Sequence, residues 1–250
     1  MLLKKEIKAD RWKLIIVFLL MFLMSATVVW QYPFVKSLLN SGMMEGMPKW
    51  MAQSAAAQQN FPVFLSANWF DKNLIQFAIV LSILLGMSVF AREIEDHTIE
   101  FLLARPLSRR KIFLEKTLYQ LVLIFLIMLF NTIVLGISGV IGDYNINFFR
   151  LLIGLIPVFG KCFIVYSTAV LFSLFFDDQV RAGLFTFVTI ILVWATSFID
   201  TLDFLNIFSY GEVTPYYTQG ILPIMDLVLL FIVGFVIYGL SYYRFEVRDF

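Results

Sequence analysis

Six apolar runs, at residues 14–30, 74–91, 117–141, 151–176, 183–199 and 224–243, leave this chain few folds to choose from. Each is about as long as a helix must be to cross the hydrocarbon core of a bilayer, at roughly 1.5 Å of rise per residue. The first is near the minimum. The expected fold is an all-α integral membrane protein of six transmembrane helices in a single domain spanning 1–250. Composition agrees, with 60% hydrophobic residues and a mean hydropathy of +0.86. A net charge of +1 gives no case for nucleic acid. The single cysteine, Cys162, excludes an intrachain disulfide, and the single histidine, His97, leaves no cluster for a metal.

Before the first run, Lys4, Lys5, Lys8, Arg11 and Lys13 share a segment with Leu3, Ile7 and Leu14, which fall on one helical face. Residues 1–13 therefore read as a basic amphipathic helix of the kind that lies in the headgroup region. Trp12 and Trp30 bracket the first span as interface anchors. Residues 31–73 read as an outer loop with short helices at 35–39 and 49–59, either an exterior cap over a pathway or a loop packing on its own spans. Residues 200–223 hold no Lys or Arg, and their Gly and Pro breaks permit a re-entrant hairpin. Placing both termini in the cytoplasm puts inside the five basic residues before the first span, the six at 92–116, and Arg181, Arg244 and Arg248. Only Lys36, Lys49, Lys72 and Arg150 then fall outside, as the positive-inside rule requires.

The charged segment 92–116 lies between the second and third spans. Good helix formers from Glu93 to Ala104 predict a short helix, ended by Pro106, and Ser108 is placed to cap the next one. Glu93, Glu95, Thr98, Glu100, Leu102-Leu103, Pro106, Ser108-Arg109 and Lys116 resemble the cytoplasmic loop of ABC-2-type transporter permeases, E-x-E-x-G-T-x-E-x-L-L-x-x-P-x-S-R. His97 stands where that family usually has glycine. The resemblance implies a type V exporter-like fold in which this loop is a coupling helix seated in a groove of a separate ATPase. Glu93, Glu95, Glu100 and Arg105 would then pair with charges of that groove, and Ile94, Phe101 and Leu102 would be its apolar anchors. His97, Leu103 and Pro106 would complete the contact, with Thr98 as a packing or capping position. Two ATPase copies, which hold the ATP and Mg, and a second permease copy (identical or paralogous) are the implied partners, in a bacterial cell membrane.

Within the spans, chemistry is sparse. Lys161 sits near the middle of the fourth, where a lysine costs roughly 2.5–3.5 kcal/mol, so it faces protein or water. It is either a pathway or gating charge, or a structural contact to backbone carbonyls or a polar residue such as Asn131. Gly154, Pro157 and Gly160 predict a bent helix around it. Gly154, Gly160, Lys161 and Cys162 look superficially like a phosphate loop, but the spacing is too long, Cys replaces Ser/Thr, and the string lies inside a span. The chain itself thus binds no nucleotide. Asp226, one turn into the sixth span, is a helix-start charge or a participant in cation movement.

Three functions from different classes fit these features. The first is the permease of an ABC exporter moving a hydrophobic or amphipathic cargo, with an antimicrobial or toxin-like peptide as first guess. The second is a stand-alone secondary carrier using Lys161 and Asp226. The third, an intramembrane enzyme, is disfavoured because His97 lies outside the spans and no two mid-span aspartates exist.

Overall fold

The computed structural model describes residues 2–41, 54–104 and 106–249, and for residues 2–9 the backbone alone. Among the described residues all regular structure is helical, and six segments are long and apolar enough to cross a membrane. They are Asp10–Asn40, Phe61–Glu95, Arg109–Ile141, Phe148–Ser173, Gln179–Phe198 and Ile224–Val247. The six expected spans are present, and the departures lie at their boundaries.

Helix α1 runs unbroken from Leu2 to Asn40, so the described part of the expected interfacial helix at 1–13, residues 2–13, is not a helix separate from the first span. No Gly or Pro occurs between Leu2 and Tyr32 to stop it, and Pro33 lies inside the helix. The second span also begins earlier than its apolar run. Helix α2 (Phe61–Asn68), with Pro62 in its first turn, passes through a π-helical turn (Trp69–Leu74) into α3 (Ile75–Gly86). Phe64, Leu65, Trp69 and Phe70 are buried, and Trp69 Nε1 donates to Thr132 Oγ1 at 3.0 Å. Large aromatic surfaces gain most from leaving water, which draws this part of the expected outer loop into the core. The helix expected at 35–39 is the end of α1, and 49–53 lie outside the described residues.

Two short helices, α4 (Ala91–Glu95) and α5 (Ile99–Leu103), form the loop before α6 (Arg109–Ile141). Ser108 caps α6 as expected, its Oγ accepting from Lys111 N at 3.3 Å. The fourth span divides at Gly154 into α7 (Phe148–Ile153) and α8 (Leu155–Ser173). Next, α9 (Gln179–Ala195) is capped by Asp178, whose Oδ1 accepts from Val180 N at 2.6 Å. After two 3-10 turns (Thr196–Phe198 and Asp200–Leu205) come α10 (Val213–Gln219) and α11 (Ile224–Val247). Helix α8 is the centre on which α3, α9 and α11 pack, while α1 lies along α6. The α3–α8 approach requires Gly86, where a Cβ would stand 2.6 Å from Ala169 Cβ and 3.0 Å from the Tyr166 carbonyl oxygen.

The stretch after α9 turns back onto the bundle. Val213, Tyr216 and Tyr217 are buried, and a Cβ at Gly154 would stand 2.9 Å from Val213 Cγ1. The residue that divides the fourth span therefore also admits α10. Arg150 Nη1 donates to the Tyr217 and Thr218 carbonyls, each at 3.0 Å, satisfying carbonyls that the end of a short helix leaves open.

Candidate docking loop and chamber

The expected single helix over Glu93–Ala104 is two helices with a sharp corner between them. The His97 N–H donates to the Ile94 carbonyl at 3.0 Å and the Thr98 N–H to the Glu93 carbonyl at 2.8 Å, a Schellman motif that ends α4. Its left-handed residue is His97, at φ +53°. The histidine thus adopts the conformation a glycine takes most readily.

The corner sorts the loop into two faces. Phe101 stands 77% exposed, and Glu95, Asp96, His97, Glu100 and Pro106 are exposed with it. Ile99 and Leu102, three residues apart on one side of α5, are buried, with Ile94, Thr98 and Leu103 half-buried. Two residues expected at an outer contact thus turn inward, Leu102 into the core and Glu93 into an ion pair. Arg105 lies outside the described residues.

Glu93 is buried, and its Oε1 lies 3.1 Å from Lys116 Nζ on α6, while Oε2 accepts from the Thr98 hydroxyl. Beside it, fully buried Asp10 of α1 pairs with Arg92 at 2.7 Å and accepts from Gln120 Nε2 at 3.4 Å. The contacts continue inward. The Tyr166 hydroxyl on α8 lies 3.1 Å from both Gln120 Oε1 and the Thr117 carbonyl, and Thr117 Oγ1 is 2.6 Å from Tyr238 Oη on α11. Glu95 Oε2 also accepts from Gln179 N at the start of α9, at 3.3 Å. A displacement of the loop would therefore be felt by α1, α6, α8, α9 and α11. Sequence reasoning missed Asp10, Gln120 and Tyr166; the available signal was three polar side chains amid or beside apolar runs.

The second site lies about 7.5 Å further along α8, counting five residues from Tyr166 to Lys161 at 1.5 Å each. Lys161 is 3% exposed, and its Nζ donates to the Phe208 carbonyl at 3.2 Å. It makes no ion pair among the described residues. The partner is a backbone carbonyl of the folded-back stretch, one of the two structural contacts open from the sequence. Asn131 is not brought to it: that side chain donates to the Ile127 carbonyl at 2.8 Å and faces Ser25 of α1. Asp226 is engaged elsewhere, its Oδ2 accepting from Gly211 N at 2.9 Å, where Gly211 has φ +64°. Lys161 borders a chamber of about 420 Å³ together with Asp71, Gln76, Glu212, Trp194, Phe208 and four isoleucines, 75, 79, 190 and 191.

Residues 2–250 match the family model of the ABC-2 family transporter proteins. The chain belongs to that family. As an ABC-2 permease it is a multi-pass, non-catalytic membrane subunit, and such permeases generally pair with ABC ATPase subunits. Comparison with curated proteins finds no match.

Proposed function

We propose that this ABC-2 permease is the membrane half of an ATP-driven exporter, docking on its ATPase through α4 and α5. The observation that carries this reading is the two-faced loop. Phe101 projects outward beside the exposed carboxylates of Glu95, Asp96 and Glu100, while Glu93 and Asp10 anchor the inner face through buried ion pairs. An exposed aromatic amid acidic residues suits a groove with an apolar pocket and a basic rim. Both termini and the loop lie in the cytoplasm of a bacterial cell in this reading, following the basic residues. Two ATPase copies, holding ATP and Mg, serve two permease chains, identical or paralogous. ATP-driven closure of the ATPases pushes the loops, and the buried ion pairs carry the push into the spans.

Export of a hydrophobic or amphipathic cargo follows the apolar composition, and an antimicrobial or toxin-like peptide is the first cargo to screen. The test is co-purification of the chain with the ATPase encoded beside it, and ATP turnover with and without the permease. Stoichiometric association with coupled turnover supports the reading. A chain that stays stable alone, binds no ATPase and carries an ion-linked flux dependent on Lys161 and Asp226 would replace it with the secondary carrier.

A further inference from the structure

We infer that the chamber beside Lys161 is a binding site for an amphipathic monocation, an ammonium or guanidinium group on a compact apolar body. Its role in transport rests on the exporter reading, but its binding chemistry does not.

The first argument is charge. Asp71 and Glu212 border the chamber against a single ammonium, so the wall carries one formal negative charge in excess. Contact within the wall does not cancel that excess. Lys161 is turned to the Phe208 carbonyl and pairs with neither carboxylate; Asp71 accepts from the Thr214 hydroxyl, at 3.0 Å, and from the Val213 backbone N–H, both neutral donors. Glu212 makes no ion pair among the described residues. Both carboxylates belong to exposed residues at the border of the chamber, where they gain from a cation that reaches them and would repel an anion.

The second argument is shape. A space of about 420 Å³ matches the range of small-ligand sites, roughly 300–1,000 Å³. Its apolar wall includes Trp194 and Phe208, whose ring faces attract a cation, and Ile191, 43% exposed, leaves aliphatic surface for the ligand body. The Lys161 ammonium fits this assignment as a partial countercharge. It tempers the two carboxylates when the chamber is empty, and it limits the ligand to a single positive charge.

The test uses one apolar body with three head groups: 4-phenylbutylamine, 4-phenylbutanol and 4-phenylbutyrate, titrated by calorimetry into the purified permease–ATPase complex. The amine is expected to bind at least about tenfold more tightly than the alcohol, the gain available from an ion pair and a cation–π contact together, and the acid not measurably. Asp71→Asn with Glu212→Gln is expected to bring the amine down to the alcohol's affinity, and Lys161→Met to retain or tighten amine binding. Equal binding of amine and alcohol, absence of binding by all three, or an unchanged amine affinity in the double variant would overturn the proposal. So would preferential binding of the acid that Lys161→Met abolishes, which would make Lys161 an anion receptor. If wild-type chain fails to assemble with its ATPase, the same titration is run on the permease alone; failure of the exporter reading then remains distinct from failure of the cation site.

Discussion

Two buried lysines make an instructive pair. Lys116 and Lys161 are 2% and 3% exposed, each on a helical segment long and apolar enough to cross a membrane, Lys116 near the start of its segment and Lys161 midway. Lys116 meets a carboxylate at 3.1 Å, and that carboxylate is held from its other side by Thr98. Lys161 meets one carbonyl, with its carboxylates standing off around a chamber. A buried charge that is fully matched makes a rigid joint, because moving either partner strands the other in a low dielectric. A buried charge matched by a single carbonyl leaves electrostatic capacity for something else to enter. The difference is the one expected if, as proposed, the loop base transmits displacement and the chamber receives a ligand.

The largest effect should come from breaking the joint. Lys116→Met strands Glu93 and is expected to destabilise the chain by about 3–5 kcal/mol, read as thermal unfolding in detergent, with Glu93→Gln in the same chain restoring most of the loss. Equal stability of the single and double variants would show that the two residues do not act as a pair. Next in size is Phe101→Asp, which leaves the bundle's packing alone because Phe101 is exposed, and removes the apolar anchor. Assembly with the ATPase is expected to weaken by about 2 kcal/mol or more, roughly 30-fold, while membrane insertion stays normal. A variant that still binds and stimulates its ATPase would end the docking assignment.

Lys161→Met supplies the contrast with Lys116. It removes one hydrogen bond to a carbonyl and no ion pair, so stability should change by only about 1 kcal/mol, while transport falls. Normal transport by this variant would remove Lys161 from the pathway, and a loss as large as that of Lys116→Met would erase the distinction between the two sites. The smallest effect is expected at the corner of the loop. His97→Gly relieves a left-handed conformation that a side chain opposes by about 1–2 kcal/mol, but it adds freedom to the unfolded chain. A net gain of about 0.5 kcal/mol should appear in thermal unfolding. A loss there would indicate that the His97 side chain contributes contacts of its own.

Much of this architecture was legible in the residues. The number of spans, the cap at Ser108 and an irregularity in the fourth span, expected as a bend around Lys161 and found as a break at Gly154, follow from local rules, whereas the outward Phe101 came only with the family motif. The helix boundaries were less legible. Apolar run length measures what suits a membrane, whereas helices continue until a residue stops them, so α1 extends past Trp30 and α2 begins at Phe61. The corner at His97 also escaped a reading by helix propensity, because no Gly or Pro marks it; only the motif's glycine position pointed there.

What the sequence alone determined is the set of elements and the chemistry they carry: six apolar helices, one acidic-and-aromatic loop, one lysine inside a span. Those features depend on composition and spacing within a short window, where residue type dictates backbone and solvent preference. What only the tertiary structure decided is the partnership of each charge. Glu93 with Lys116, Asp10 with Arg92, and Lys161 with the carbonyl of Phe208 are chosen by how α1, α4, α6 and α8 rotate and stack, over separations of 23, 82 and 47 residues. Burial makes each choice consequential, because a charge removed from water must find its partner wherever the packing brings one.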